Sequence, residues 1–164
     1  MLPRLIARAK SGQLRRIGTQ SKLVDTVFIE NAAAAHLLAA DALAPGAACA
    51  GRAYFISNGD PIALWDMVNR MLAAASLPPV TRCVPVPVAM ALAWAFETVA
   101  RVTGSTREPR LTRFMAREMS TAHWFDISAA KRDFGYAPRV TTEEGLRRLA
   151  DHLRLTEAGT TNLH

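Results

Sequence analysis

Apolar residues recur along this chain at helical and at extended spacings, and the changes from one to the other divide it into elements. Near the N-terminus, Leu2, Leu5, Ile6 and Ala9 share one helical face behind Pro3, and Gly12 is placed to end that helix. A short basic strand over 14–17 follows. Residues 23–29 are a β-branched and aromatic run that feeds directly into an alanine-rich helix over 32–43, with Asn31 placed to cap it. After a loop containing Pro45, Gly46 and Gly51, residues 53–57 read as a buried strand. Asn58-Gly59-Asp60-Pro61 reads as a turn in which Asp60 caps the next helix and Pro61 is its first residue. The stripe of that helix is Ile62, Trp65, Val68, Met71 and Leu72.

Residues 81–86 form a third extended run, and Pro87 opens an almost wholly apolar helix over 88–102, closed by Gly104. Hydrophobicity on all sides leaves three fates for the stretch 88–96: burial, contact with a membrane surface, or the wall of an apolar pocket. A short helix around 111–119 comes next. An extended piece at 123–126 then leads to a helix over 128–134 that ends at Gly135. Thr141 and Glu144 predict a capping box for the last helix, to about Leu155. Residues 157–164 lack apolar periodicity and are expected to be a flexible tail. There is no repeat at solenoid periods. Strands alternating with longer helices indicate an α/β protein.

Composition fits a globular chain, with 164 residues, 50% apolar and 21% charged, for which one domain is expected. The longest charge-free stretch, 83–96, is interrupted by Pro85 and Pro87 and is shorter than the ~20 residues a bilayer crossing needs. A transmembrane helix is excluded. Cys49 and Cys83 cannot build a disulfide framework, and there is no Cys-x-x-Cys or Cys/His cluster at zinc spacing. They read as thiols of a reducing compartment. The net charge of +6 resides wholly in residues 1–22, which carry Arg4, Arg8, Lys10, Arg15, Arg16 and Lys22 and no acid. Such a segment admits two other readings, a nucleic-acid-binding or non-catalytic interaction module and a mitochondrial leader. The charge balance of the remainder argues against a nucleic-acid-binding face.

Local motifs for catalysis are missing. None of the nine glycines is arranged as Gly-x-Gly-x-x-Gly, the turn that lets backbone amides approach a pyrophosphate. No Tyr-x-x-x-Lys pair exists, since Tyr54 is followed at that spacing by Asn58 and Tyr136 by Val140. His36, His123, His152 and His164 have no locally spaced orienting group and read as structural or surface residues. Glu143-Glu144 reads as a helix start, not a paired-carboxylate site.

Three stretches nevertheless carry a resemblance. The first is Leu23-Val24-Asp25-Thr26-Val27-Phe28-Ile29-Glu30-Asn31 running into Ala35-His36-Leu37-Leu38-Ala39-Ala40. The second is Tyr54-Phe55-Ile56-Ser57-Asn58-Gly59-Asp60-Pro61-Ile62 followed by Trp65. The third is Phe125-Asp126-Ile127-Ser128 with Ala130-Lys131, Phe134-Gly135-Tyr136-Ala137-Pro138 and Glu143-Glu144-Gly145-Leu146. Together they resemble the C-terminal portion of extended short-chain dehydrogenases, in the 3β-hydroxysteroid dehydrogenase branch. Within it they resemble the sterol-4α-carboxylate 3-dehydrogenase and bacterial 2-alkyl-3-oxoalkanoate reductase types. The likeness covers about residues 2–155. Its motifs are turns and helix starts, so they identify a fold more than a reaction.

The resemblance implies an α/β substrate-side lobe, residues 1–156, of a Rossmann-type NAD(P)-binding enzyme whose N-terminal nucleotide-binding half is absent. That half is an expected partner. The implied reaction interconverts a secondary alcohol and a ketone. In the family, the glycine-rich turn and a Ser, Tyr, Lys set perform cofactor binding and proton transfer, and no position here matches them. No catalytic or cofactor-binding residue is therefore assigned, NAD or NADP is expected only in the complete enzyme, and the chain alone is expected to be inactive. Nucleotide-sugar members carry an arginine where this chain has Leu23-Val24, which together with the apolar helix favours a small hydrophobic substrate, a steroid-like or long-chain β-hydroxy or β-keto acid. The expected pocket residues are Arg4, Lys22, Thr26, Phe28, Trp94 and Arg113, the bases being candidates to meet the carboxylate. The expected setting is cytoplasmic, compatible with peripheral membrane contact and with a homodimer.

Overall fold

A computed structural model of the chain describes residues 2–106, 109 and 111–161, with the backbone alone for Leu2 and 157–161. In chain order the elements are α1 (Leu2–Lys10), β1 (Arg16–Ile17), β2 (Leu23–Val24), α2 (Ile29–Ala42), β3 (Ile62–Ala63), α3 (Leu64–Ala74), β4 (Cys83–Val84), α4 (Val86–Val102), α5 (Arg113–Glu118), α6 (Ser128–Phe134) and α7 (Thr142–Thr161). The mixed α/β class holds, with helix dominating and strands of two residues each. β1 pairs with β4 and β2 with β3. The chain divides into two compact units, the first made of residues 1–22 and 63–122, the second of 23–62 and 123–164.

In the first unit β1 and β4 run parallel, Arg16 opposite Cys83 and Ile17 opposite Val84. Ile17 is buried with Ala89 and Ala93 of α4 and Ala116 of α5. The alanines are small enough to let helix backbones come close to the strand pair. A neighbouring cluster joins Trp65, Val68 and Leu72 of α3 to Leu5, Ala9 and Leu14. Of the predicted stripe of α3, Trp65, Val68 and Leu72 are buried, whereas Met71 is only half-buried and Ile62 lies in β3, and the predicted start of the helix does not hold either. Asp60 does not cap it and Pro61 is not its first residue, because Ile62 and Ala63 are extended and Ala63 is the N-cap. The amide of Leu64 donates to the Lys22 carbonyl at 2.9 Å, so a backbone acceptor does what the Asp60 side chain was expected to do.

Helix α4 also corrects an expectation. Burial was one of three fates for it, yet only Ala89 and Ala93 are buried, while Val88, Leu92, Trp94, Phe96, Val99 and Val102 are exposed. A single stripe of small residues faces the core. α5 is capped by Thr112, whose hydroxyl oxygen accepts from the Met115 amide at 3.1 Å.

In the second unit, Ala35 of α2 packs with Ala130 and Phe134 of α6, Tyr136, Ile127 and Cys49. α2 begins at Ile29, with Phe28 as its N-cap and no side-chain cap bond. Asn31 therefore lies inside the first turn and does not cap the helix. The expected strand over 23–29 contracts to β2, and Val24 makes a parallel bridge to His123. Residues 53–57 are not a buried strand. No described residue pairs with them as a ladder, and Phe55 is 59% exposed, stacked on Phe125 with ring centroids 4.1 Å apart. A β-prone run becomes a strand only where a neighbour supplies the hydrogen bonds. Gly135 ends α6 at φ 67°, a left-handed conformation that glycine adopts without a Cβ clash. The Thr141 hydroxyl accepts from the Glu144 amide at 3.2 Å, and α7 then continues to Thr161, past the expected end near Leu155. Residues 162–164 of the expected flexible tail lie outside the described residues.

Candidate functional site

A cavity of about 440 Å³ opens in the first unit. Its apolar wall includes Leu14 and Ile17, Ala89, Leu92 and Phe96 of α4, and Met115 of α5. Ala89, Leu92 and Phe96 are spaced i, i+3, i+7 and so share one face of α4. This is the pocket-wall fate foreseen for that helix, beside the partial exposure of its other faces. Two guanidinium side chains, Arg8 from α1 and Arg15 just ahead of β1, belong to the same lining. Arg15 comes immediately before β1, in a stretch of chain whose Gln13, Leu14 and Ile17 also reach the cavity. Arg15 is held in place by its own loop, Nη1 donating to the carbonyls of Gly12 (2.5 Å) and Leu14 (3.0 Å).

The six residues expected from sequence fall elsewhere. Arg4 is exposed on α1. Lys22 is half-buried and lines a second cavity of the first unit, about 550 Å³, with Thr19, Cys83, Pro85 and Ser120. Trp94 is exposed on α4. The Arg113 charge is already matched, because its backbone amide and its Nε each donate to the Glu97 carboxylate at 2.7 Å. Those two bonds, the backbone one foremost, hold the Glu97 carboxyl below its usual range. Thr26 and Phe28 lie in the second unit. The Thr26 carbonyl accepts from the Asn58 amide at 2.7 Å, and the Phe28 ring lies against Gly145 with the Arg148 guanidinium 5.5 Å from its centroid. None of the six lines the first cavity. Arg8 and Arg15, which do line it, were not among the six, and no local spacing singles them out.

The second unit assembles the resemblance motifs into a polar lock. Asn31, 1% exposed, accepts at Oδ1 from the amides of Arg139 (2.9 Å) and Val140 (3.0 Å). Its Nδ2 donates to the Val140 carbonyl at 2.7 Å and to Asn58 Oδ1 at 2.9 Å. That is the full capacity of a carboxamide. Asn58 Oδ1 also accepts from the Phe28 amide at 3.1 Å. The Tyr136 hydroxyl donates to the Ser57 carbonyl at 2.8 Å, and the Ser57 hydroxyl donates to Asp25 at 2.6 Å. Burial, with the Asp25 charge nearby, pushes the Tyr136 phenol above its ordinary value. The sequence motifs thus join one another instead of facing a ligand, and His36 likewise bonds its own helix at the Ala32 carbonyl, 2.7 Å away.

A dinucleotide cradle would need open backbone amides at a glycine turn leading from strand to helix. The described glycines do not supply one. Gly12, Gly104 and Gly135 follow helices, Gly46 and Gly51 lie in the turns after α2, Gly18 leads into a bend, Gly145 is inside α7, and a Cβ on Gly59 would meet Ile127 Cδ1 at 2.8 Å, so that space is filled by protein. The residues present do not fit a nicotinamide cofactor.

A sequence model described as the 3-beta hydroxysteroid dehydrogenase/isomerase family matches residues 1–86. The chain belongs to that family. Its relatives include a 2-alkyl-3-oxoalkanoate reductase of Stenotrophomonas maltophilia, 49% identical over 91% of this chain and 45% of that protein. One of the same name from Shewanella oneidensis is 48% identical over 91% of this chain and 39% of that protein. A decarboxylating sterol-4-alpha-carboxylate 3-dehydrogenase of Schizosaccharomyces pombe is 38% identical over 90% of this chain and 44% of its own length. The chain spans less than half the length of these family members. Among solved structures, the crystal structure of gox2253 superposes with a TM-score of 0.60 at 24% identity, over 93% of this chain and 43% of that one, which supports the fold. Among the described residues no helix is long and apolar enough to cross a membrane.

Proposed function

We propose that this chain forms the substrate-side portion of an NAD(P)-dependent oxidoreductase that interconverts a ketone and a secondary alcohol on a long-chain β-keto or β-hydroxy acid. The observation that carries this reading is the near-half identity, over nine-tenths of the chain, to two proteins named 2-alkyl-3-oxoalkanoate reductase. Lower identity to the sterol dehydrogenase makes a sterol acid the second choice of substrate. The apolar cavity with two arginines suits the greasy acid in either case. The reduction would need hydride at the carbonyl carbon and a proton at its oxygen; a nucleotide-binding half with its NAD(P) would supply both, and this chain's residues would contribute binding and orientation of the acid. Alone, the chain turns nothing over. Of the six residues singled out from sequence, none lines that apolar cavity, and Lys22 lines the second one.

The test is a chimera in which this chain replaces the corresponding segment of the Stenotrophomonas maltophilia reductase. NADPH consumption dependent on a 2-alkyl-3-oxo acid is expected from the chimera and not from this chain by itself. A chimera that folds and binds NADPH, yet leaves the acid unreduced, contradicts the proposal.

A further inference from the structure

We infer that the 440 Å³ cavity of the first unit is a binding site for an amphipathic monoanion, with Arg15, assisted by Arg8, as the residue that selects a carboxylate head over a neutral one. A purely apolar recess would take any hydrocarbon of suitable size. Among the described residues the lining holds two permanent cations and no carboxylate, so charge complementarity favours an anionic head on an apolar tail.

Arg15 has the geometry for this. It is half-buried, and its hydrogen bonds to Gly12 and Leu14 both use Nη1. Its Nε and Nη2 donors have no protein partner among the described residues. A guanidinium fixed at one nitrogen and unpaired at the others presents a donor edge that matches a carboxylate, at lower entropic cost than a free side chain. Arg8 has polar contacts of its own and adds mainly charge. Along the rest of the lining, Leu92 and Phe96 of α4 offer a rigid hydrophobic track, and Met115 adapts to tails of different shape.

This deepens the oxidoreductase reading and rests on it for the identity of the anion as a β-keto acid, but binding is measured without turnover. Titration of the chain with decanoate and with decan-1-ol, followed by calorimetry or amide chemical shifts, is the test. Decanoate should bind at least about tenfold more tightly, the scale of one charge-assisted contact. Arg15→Met should abolish that preference by weakening decanoate binding about tenfold more than decan-1-ol binding. Arg15→Glu should shift the preference to decyltrimethylammonium. Ala89→Leu, which fills the recess, should weaken acid and alcohol alike. Equal binding of acid and alcohol by the unaltered chain, or no binding of either, overturns the inference whether or not any variant folds. A preference that survives Arg15→Met in a folded protein overturns the role of Arg15. An inactive chimera beside a chain that prefers decanoate would instead count against the oxidoreductase reading alone.

Discussion

The two units of this chain solve opposite problems. The second carries most of the sequence motifs, and its side chains are spent on one another: Asn31 closes four hydrogen bonds, Tyr136 and Ser57 tie residues far apart in sequence, and Phe28 is pinned by Gly145 and Arg148. The first carries few recognisable motifs, and beside its Trp65–Leu72 cluster a packing of small alanines borders a cavity at which Arg15 keeps donors unpartnered among the described residues. Recognisable sequence here marks structural fixation. The proposed ligand site sits where the sequence looks ordinary, because a pocket needs size, apolar lining and one or two placed charges and no fixed local spacing.

That contrast can be broken from either side, most severely at Leu72. This fully buried side chain anchors the α3 cluster, so Leu72→Ala should cost roughly 2–5 kcal/mol and accelerate amide exchange in α3 and α1. Exchange unchanged in α3 would show that the cluster does not hold the unit. Asn31→Ala removes a purely polar anchor yet should cost a similar amount, about 3 kcal/mol, since the amides of Arg139 and Val140 are left without partners. A loss below about 1 kcal/mol by denaturant titration would mean the polar lock is ornamental.

Gly145→Ala is milder. The added Cβ would meet Phe28 Cδ2 at 2.9 Å, and a shifted ring should cost about 1–2 kcal/mol. A neutral result would show that Phe28 is not pinned by α7. The smallest effect concerns Glu144, whose carboxyl the Arg147 and Arg148 guanidinium groups hold at about 2, against an ordinary 4.5. A depressed carboxyl stabilises the fold above its ordinary value, and the contribution fades as pH falls from about 4.5 towards 2. Glu144→Gln should therefore be less stable than the parent at pH 7 and converge with it near pH 2. Salt should shrink the gap, because these pairs are exposed.

Helix stripes and glycine stops were legible in the sequence. Trp65, Val68 and Leu72 face inward as their spacing requires, and Gly135 ends α6. Caps were less so. Asp60 and Asn31 both have the right chemistry for an N-cap, but the Lys22 carbonyl supplants one and a long-range network recruits the other. Such competition between local and distant partners leaves no trace in local spacing. The 53–57 run had strand propensity without a ladder partner among the described residues. At the site, one face of α4 lines the first cavity, while the basic residues favoured for the carboxylate, Arg4, Lys22 and Arg113, lie outside it. Arg113 illustrates the difficulty, since its partner Glu97 sits one helix earlier and nothing in the sequence pairs them.

The most direct test compares, in the chimera with the Stenotrophomonas maltophilia nucleotide-binding half, kcat/KM for a 2-alkyl-3-oxo acid with that for the same ketone lacking the carboxylate. At least about a tenfold preference for the acid is expected, which Arg15→Met removes through KM and which Asn58→Ala leaves in place in any folded protein. An active chimera with no preference for the acid, or one whose preference is lost with Asn58 and kept without Arg15, would contradict that expectation.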